Sequence, residues 1–308
     1  MNVGPNVTLG PRLIMGSDAL TVRAALAYGR GQLKVSDSPA LDARLLLQHV
    51  LQVDHAYLIA HDDAALASED EVAFRRLVRR ATLREPVPYL TGRAPFYGRQ
   101  FMVSPTVLIP RPETELLVEH ALRWIEDWSG HDDKGHAIGP RIVDVGTGSG
   151  CIAITLALEA RTLEIEAVDV SVKILEIARR NAVLLGAAER LVFRLGSLLE
   201  PVDGRLDLIL ANLPYIADPE WTALDDGIKW YEPEVALRGG PKGLDVIRQL
   251  LEQAADKLAP GGAILLEIGW QQGRAVQNLA ARFFPQARIE TLVDYGGRDR
   301  LVSIQTVG

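Results

Sequence analysis

Cysteine is nearly missing: Cys151 stands alone in 308 residues. One thiol closes no internal disulfide and builds no structural zinc cluster, so a stapled secreted scaffold is excluded. No apolar run approaches the roughly 18 residues of a membrane helix. The start, Met1-Asn2-Val3-Gly4-Pro5, has no basic region followed by an apolar core, so no secretory signal and a cytoplasmic location are expected. An excess of positive charge is also lacking, with 33 Lys and Arg against 40 Asp and Glu and a net charge of -7. Such a chain repels a phosphate backbone, which weighs against nucleic acid as partner. The exception is the segment 71–111, with eight arginines against Glu71 and Glu85.

What is present is enough chain for two domains at roughly 100 to 200 residues each. Residues 18–84 read as a helical bundle. Ala43, Leu46, Leu47 and Val50, and again Phe74, Leu77, Val78 and Ala81, fall at i, i+3, i+4 and i+7, the spacing of a buried stripe. Glu85-Pro86-Val87-Pro88 interrupts the helix, because proline lacks the amide donor and biases its predecessor to extended geometry. Phe96-Tyr97-Gly98 and Phe101-Met102-Val103 read as short strands of a hairpin, and a helix restarts near Pro112. The expected division is a helical domain over 1–90, a hairpin linker over 91–110 and an α/β domain over 111–308.

From Arg141 onward strand and helix alternate. Strands are expected at 141–145, 164–169, 191–195, 206–211 and 263–268, helices at 150–160, 172–186, 243–258 and 272–282, and a terminal antiparallel hairpin over 288–305. Crossover connections make this a parallel sheet covered on both faces, extended to seven strands by the hairpin.

Asp144-Val145-Gly146-Thr147-Gly148-Ser149-Gly150 sits between the first strand and the first helix. Glycines there let the backbone turn sharply and approach a ligand. Asp169 ends the second strand, where a carboxylate can accept from both hydroxyls of a ribose. A tight turn without a ligand would use similar residues. The spacing is not that of a dinucleotide fingerprint, since the third glycine comes one residue early and Cys151 follows it. Cys151 itself reads as a small packed residue rather than an activated thiol.

The fourth strand stops at Asn212-Leu213-Pro214-Tyr215. An amide nitrogen is a poor nucleophile because its lone pair is delocalised into the carbonyl, so methylating it requires orienting the nitrogen. The Asn212 side-chain oxygen and the Leu213 backbone carbonyl can each accept one N–H, Pro214 fixes the turn and Tyr215 can stack on a planar amide. Asn and Pro after a strand are also ordinary turn formers. It is the combination with the glycine loop and Asp169 that is specific.

These motifs, with Leu108-Ile109-Pro110-Arg111-Pro112-Glu113-Thr114-Glu115, Tyr89-Leu90-Thr91-Gly92, Phe96-Tyr97-Gly98 and Glu267-Ile268-Gly269-Trp270-Gln271-Gln272-Gly273, resemble the bacterial peptide-chain release factor glutamine N5-methyltransferases, the HemK/PrmC family, over nearly all of residues 20–305. The resemblance implies a seven-stranded, Rossmann-like class I methyltransferase domain joined by a β-hairpin to a small helical domain. It implies S-adenosyl-L-methionine as cofactor and release factors as protein partner, methylated on the glutamine of a Gly-Gly-Gln loop by a monomeric enzyme. Gly146, Thr147, Gly148, Ser149 and Gly150 would contact the methionine part of the cofactor and Asp169 its ribose. Asn212 would meet cofactor and substrate, with Asn212, Leu213, Pro214 and Tyr215 forming the glutamine pocket.

Two positions depart from the family pattern. Leu213 stands where the family usually has proline, which spares the backbone carbonyl. Ser197 stands where an acidic residue often reads the adenine amino group, which makes adenine contact through Ser197 and Leu198 weaker. Arg75, Arg76, Arg79 and Arg80 lie opposite the apolar stripe of their helix and read as a solvated face that can also help dock a protein. His131, Asp132, Asp133 and His136 read as a polar loop rather than a metal site. Other readings are an adenine-N6 methyltransferase, disfavoured by the acidic charge, a glutamine methyltransferase of a ribosomal protein, and a non-catalytic cofactor-binding or docking protein.

Overall fold

The computed structural model describes residues 20–130, 139–160 and 163–308. His131, Asp132, Asp133 and His136 lie outside the described residues. Two compact units emerge, one holding residues up to Gly92 together with Asp226–Tyr231, the other Arg93–Asp225 and Glu232–Gly308.

The first unit is helical: α1 (Val22–Gln32), α2 (Pro39–Leu51), α3 (His55–Ala60), α4 (Ser68–Thr82) and α5 (Val87–Thr91). Thr21 and Asp54 cap α1 and α3, each side-chain oxygen accepting from a backbone N–H in the first turn. In α4 the buried stripe is Phe74, Leu77, Val78 and Ala81. In α2 it is Ala43, Leu46, Leu47 and Leu51, with Val50 half-buried in place of the expected full burial. A Cβ on Gly29 would stand 2.8 Å from the Ala43 Cβ, so α1 and α2 touch backbone to backbone. α4 ends at Thr82, before the expected break at Glu85–Pro88, with Arg84 at φ 65° just beyond it, and the prolines open α5, where a proline in the first turn forfeits no intrahelical bond.

The second unit begins with the hairpin β1 (Arg93–Phe96) and β2 (Arg99–Met102). Tyr97 and Gly98, expected in a strand, are instead its turn, at φ 48° and 71°. Two left-handed residues make the type of two-residue turn that matches strand twist. Phe96 and Phe101 then pack edge to face, 6.0 Å apart, in the core beneath α6 (Glu115–Glu126) and α7 (Cys151–Glu159).

The main sheet contains β3 (Ile142–Val145), β4 (Ile165–Asp169), β5 (Leu191–Leu195), β6 (Leu206–Asn212), β7 (Leu258–Glu267), β8 (Arg288–Val293) and β9 (Asp299–Gln305). Their order is β5-β4-β3-β6-β7-β9-β8, parallel throughout except for β9, which runs antiparallel to both neighbours. Helices α8 (Val172–Leu185), α11 (Asp245–Lys257) and α12 (Gly273–Phe283) cross over between strands, and the short α9 (Asp218–Trp221) follows β6. The remaining short helix, α10 (Asp226–Tyr231), groups with the first unit. Every residue of β3 and β4 is buried, as parallel strands covered on both faces require. The chain leaves β3 for β4 on one side, while β6 flanks it on the other, so a crevice opens at the carboxyl ends of β3 and β6.

Candidate active site

The crevice is a cavity of about 290 Å³ walled by Gly146, Gly148, Asp169, Ser197, Leu198, Asn212, Leu213 and Pro214. Four connections that are distant in sequence therefore meet at one place. Val145 pairs with Ala211 across the sheet, which sets the glycine turn opposite Asn212. Thr147, Ser149, Gly150 and Tyr215, predicted with these residues, are not among those that line the cavity.

Gly146, Gly148 and Gly150 adopt φ of 74°, 57° and 83°, a region that favours glycine. The loop is anchored from below. Val168 O accepts from the N–H groups of Gly146 and Thr147, both at 2.9 Å, and buried Asp144 accepts from the Thr147 hydroxyl at 2.7 Å and from Ala153 N at 3.3 Å. Burial pushes the Asp144 carboxyl up to about 7, against the pull of those two bonds. The same burial pushes the Cys151 thiol up to about 12, so it is a packed group and not a thiolate.

Asp169 accepts from Gly148 N at 3.1 Å and from Ser171 N at 3.3 Å, one bond on each oxygen. A carboxylate has about four acceptor positions, so both oxygens retain capacity toward the cavity. Burial raises its pKa while the backbone bonds from Gly148 and Ser171 lower it. Beside it Leu198 stands at φ 51°. Holding a non-glycine side chain there costs on the order of 1 kcal/mol, and the result is an apolar wall, with Val168, Val170 and Ile174, opposite the acid. The cavity thus has a carboxylate, Asp169, at its wall beside apolar surface from Leu198, Val168, Val170 and Ile174, a lining that could hold a group with hydroxyls and a flat apolar part.

Asn212 donates from Nδ2 to the Thr114 hydroxyl at 3.1 Å, leaving its oxygen for another partner. Behind it the Leu213 side chain is buried, and a Cβ on Gly146 would meet its Cδ2 at 3.2 Å. The next residues are clamped by glycines. A Cβ on Gly239 would stand 2.4 Å from Pro214 O, and one on Gly243 2.0 Å from Tyr215 O. Gln272 Nε2 donates to Tyr215 O at 2.8 Å while its Oε1 accepts from Gly269 N at 2.9 Å. Burial, with the Glu267 charge adding to it, pushes the Tyr215 phenol up to about 12.

Sequence reasoning did not single out several of these supports. Asn181, inside α8, donates to Ser149 O and Met102 O and accepts from Met102 N, tying the glycine loop to the hairpin. Glu232, nearly fully buried, receives Arg111 at 2.6 Å and Ile109 N at 3.4 Å, which seats the Leu108–Glu115 segment. The stretch 216–242 received no assignment, yet Val235 and Ala236 complete the cavity wall. An uncharged polar residue in a helix interior, such as Asn181, is the one local signal that could have been followed.

Residues 24–92 match the PrmC N-terminal domain, and residues 133–224 the methyltransferase small domain. A release factor glutamine methyltransferase of Bacillus anthracis is 36% identical over 286 residues, spanning 92% of this chain and 98% of the relative. Another, from Cereibacter sphaeroides, is 42% identical over 267 residues, spanning 87% and 91%. The chain belongs to the release factor glutamine methyltransferase family. A third relative of the same name, from Chlorobaculum tepidum, is 40% identical over 275 residues, 88% of this chain and 91% of its own. The family expected from the glycine loop and Asn-Leu-Pro-Tyr, and the class I methyltransferase fold expected with it, therefore both hold. Among the described residues no helix is long and apolar enough to cross a membrane.

Proposed function

We propose that this chain transfers a methyl group from S-adenosyl-L-methionine to the side-chain amide nitrogen, N5, of the glutamine in the Gly-Gly-Gln motif of peptide-chain release factors. The observation that carries this reading is Asn212, held by Thr114 at the wall of a cavity that also contains Asp169 and the glycine loop. When bound, the cofactor supplies an electrophilic methyl on a sulfonium. Asp169 accepts from its ribose hydroxyls, Leu198 and Ser197 border the adenine, and the turn Gly146, Thr147, Gly148, Ser149 and Gly150 lies along the amino-acid part.

The chain's own residues act on the glutamine. The Asn212 oxygen and the Leu213 carbonyl each accept one N–H of the carboxamide, which points the nitrogen lone pair at the methyl and draws electron density toward it. Tyr215 stays a neutral phenol at any ordinary pH and offers its ring face to the planar amide. The amide nitrogen would take the methyl and leave the cofactor as the neutral thioether, and the proton displaced from the nitrogen would depart along an N–H that Asn212 or Leu213 accepts, with solvent as its final sink. No metal is required.

Under this reading residues 1–90 form a docking domain for the protein substrate, 91–110 the connection and 111–308 the catalytic domain, in an enzyme that works as a monomer in the cytoplasm. The test is mass spectrometry of a purified release factor incubated with the enzyme and isotopically labelled cofactor. One labelled methyl on the Gly-Gly-Gln peptide is expected. Label on another protein or on nucleic acid, with none on the release factor, would refute it.

A further inference from the structure

Asn212 can serve as an acceptor only one way round. A carboxamide flipped by half a turn exchanges its oxygen for an NH2 group of nearly the same shape, and the flipped form would offer donors to a nitrogen that must itself donate. The bond from Asn212 Nδ2 to the Thr114 hydroxyl does not settle the choice, because a hydroxyl donates as readily as it accepts. Something must commit the threonine proton elsewhere.

Glu267 is placed to do so. It lies at the end of β7 directly across from Asn212 in register, is essentially fully buried, and among the described residues neither carboxylate oxygen has a hydrogen-bond partner. Thr114, also buried, is the neutral group that acts on it, its hydroxyl favouring the ionised carboxylate. An ionised carboxylate can only accept.

We infer that Thr114 and Glu267 are positioning residues that fix which way round the Asn212 carboxamide stands, so that its oxygen meets the amide to be methylated; this rests on the proposed glutamine chemistry. With Glu267 ionised, its charge turns the Thr114 hydroxyl proton toward it, so the hydroxyl oxygen accepts from Asn212 Nδ2 and the Asn212 oxygen is left toward the cavity. With Glu267 protonated, the direction of the chain is lost.

Burial pushes the Glu267 carboxyl up to about 7, with Glu113 adding to the rise and Thr114, Arg300 and Arg111 opposing it. Tyr215 and Cys151 also lie within its field, both neutral at that pH. Arg300 is paired with Asp294 at 3.3 Å and Arg111 with Glu232, so neither cation is committed to Glu267.

The test is single-turnover methylation of a release factor by the full chain, cofactor saturating, from about pH 5 to about pH 9. The parent enzyme is expected to lose rate as pH falls through about 7. Thr114→Val, which keeps the shape and removes the hydroxyl, should slow methyl transfer about ten- to hundredfold, the scale for orienting partners, with cofactor affinity little changed. Thr114→Ser should restore it. Glu267→Gln should be slower at high pH and show a smaller loss on acidification than the parent, Asp144 titrating in both. A Thr114→Val enzyme as fast as the parent, or a Glu267→Gln enzyme with the same acid limb, overturns the inference. Should Thr114→Val fail to fold, the limb in Glu267→Gln decides it. A parent enzyme that leaves the release factor unmethylated removes the proposed substrate and this inference together.

Discussion

At the scale of single residues the site separates holding from reacting. Asp169, Gly148 and Leu198 line the cavity, whereas in the proposed reaction the Asn212 oxygen acts on the amide being methylated. Asn212→Ala is therefore expected to fold, to keep much of its cofactor affinity and to lose about 2.7 to 4 kcal/mol of transition-state stabilisation, the scale for one oriented polar group in a dry site. Single-turnover rates beside calorimetric cofactor binding would show the split; near-parent rates would remove Asn212 from the chemistry. Leu213→Pro is the companion, since a proline suits an extended Asn212 before it and keeps the carbonyl, and it should stay active.

Glu267 carries the opposite trade. Its folded pKa of about 7 lies above the roughly 4.3 of an unfolded glutamate. Below both values the native and unfolded chains are equally protonated. As pH rises through that window the unfolded chain ionises freely while the native one must ionise a buried group, so stability is lost up to about 7 and then levels off. Glu267→Gln escapes this, and its stability should gain on the parent's between about pH 5 and about pH 8 by on the order of 2 to 3 kcal/mol, read as a widening difference in melting temperature. Asp144 titrates alike in both proteins and cancels. A difference in melting temperature that is flat across this range would show that Glu267 is not buried as a carboxylate.

The elements explain why some of the site could be read from sequence and some could not. A left-handed glycine turn after a strand and an asparagine at a strand end are local chemistry, so Gly146 to Gly150 and Asn212 announce themselves. The hairpin was legible as a hairpin, but Tyr97 and Gly98 looked like strand because an aromatic beside glycine satisfies both patterns until a φ of 48° is seen. Residues 216–242 carry no apolar periodicity, and Pro219, Pro233, Gly239, Gly240 and Pro241 break whatever might form. Their order comes in part from pairing within the segment and from close approach to the turn after β6. Ile216 pairs with Arg238, and Gly243 sits against Tyr215 O at a distance no side chain allows. Gly243→Ala should therefore displace the Pro214–Tyr215 backbone. Left-handed φ of 67° adds roughly 1 kcal/mol of strain to that collision. Methyl transfer should fall at least about tenfold with circular dichroism of the α/β unit unchanged. Full activity in Gly243→Ala would mean that this loop moves freely and does not define the pocket.

For the whole molecule, the charge pattern seen in the sequence changes meaning once the helical unit is described. The four arginines of α4 looked alike from spacing alone, but Arg75 is paired with Glu71 at 2.8 Å and stacks on Tyr28, and Arg80 is paired with Glu85. These two have structural work inside their own unit. Arg76 and Arg79 border a surface hollow together with Arg75, Tyr28, Gln32 and Thr82, and both are exposed. A small free substrate would gain nothing from them, while a folded partner with acidic surface would be drawn to them. Reversing both charges, Arg76→Glu with Arg79→Glu, is expected to lower kcat/KM on an intact release factor about three- to thirtyfold at low salt, with the deficit shrinking as screening increases. On a short Gly-Gly-Gln peptide the same enzyme should match the parent, because remote contacts matter only when the substrate reaches them. Reversing Arg80, by contrast, should lower thermal stability through its lost partner and slow both substrates. Equal losses on protein and peptide for the Arg76 and Arg79 pair would assign this face to the fold alone and leave recognition of the protein substrate to the catalytic unit.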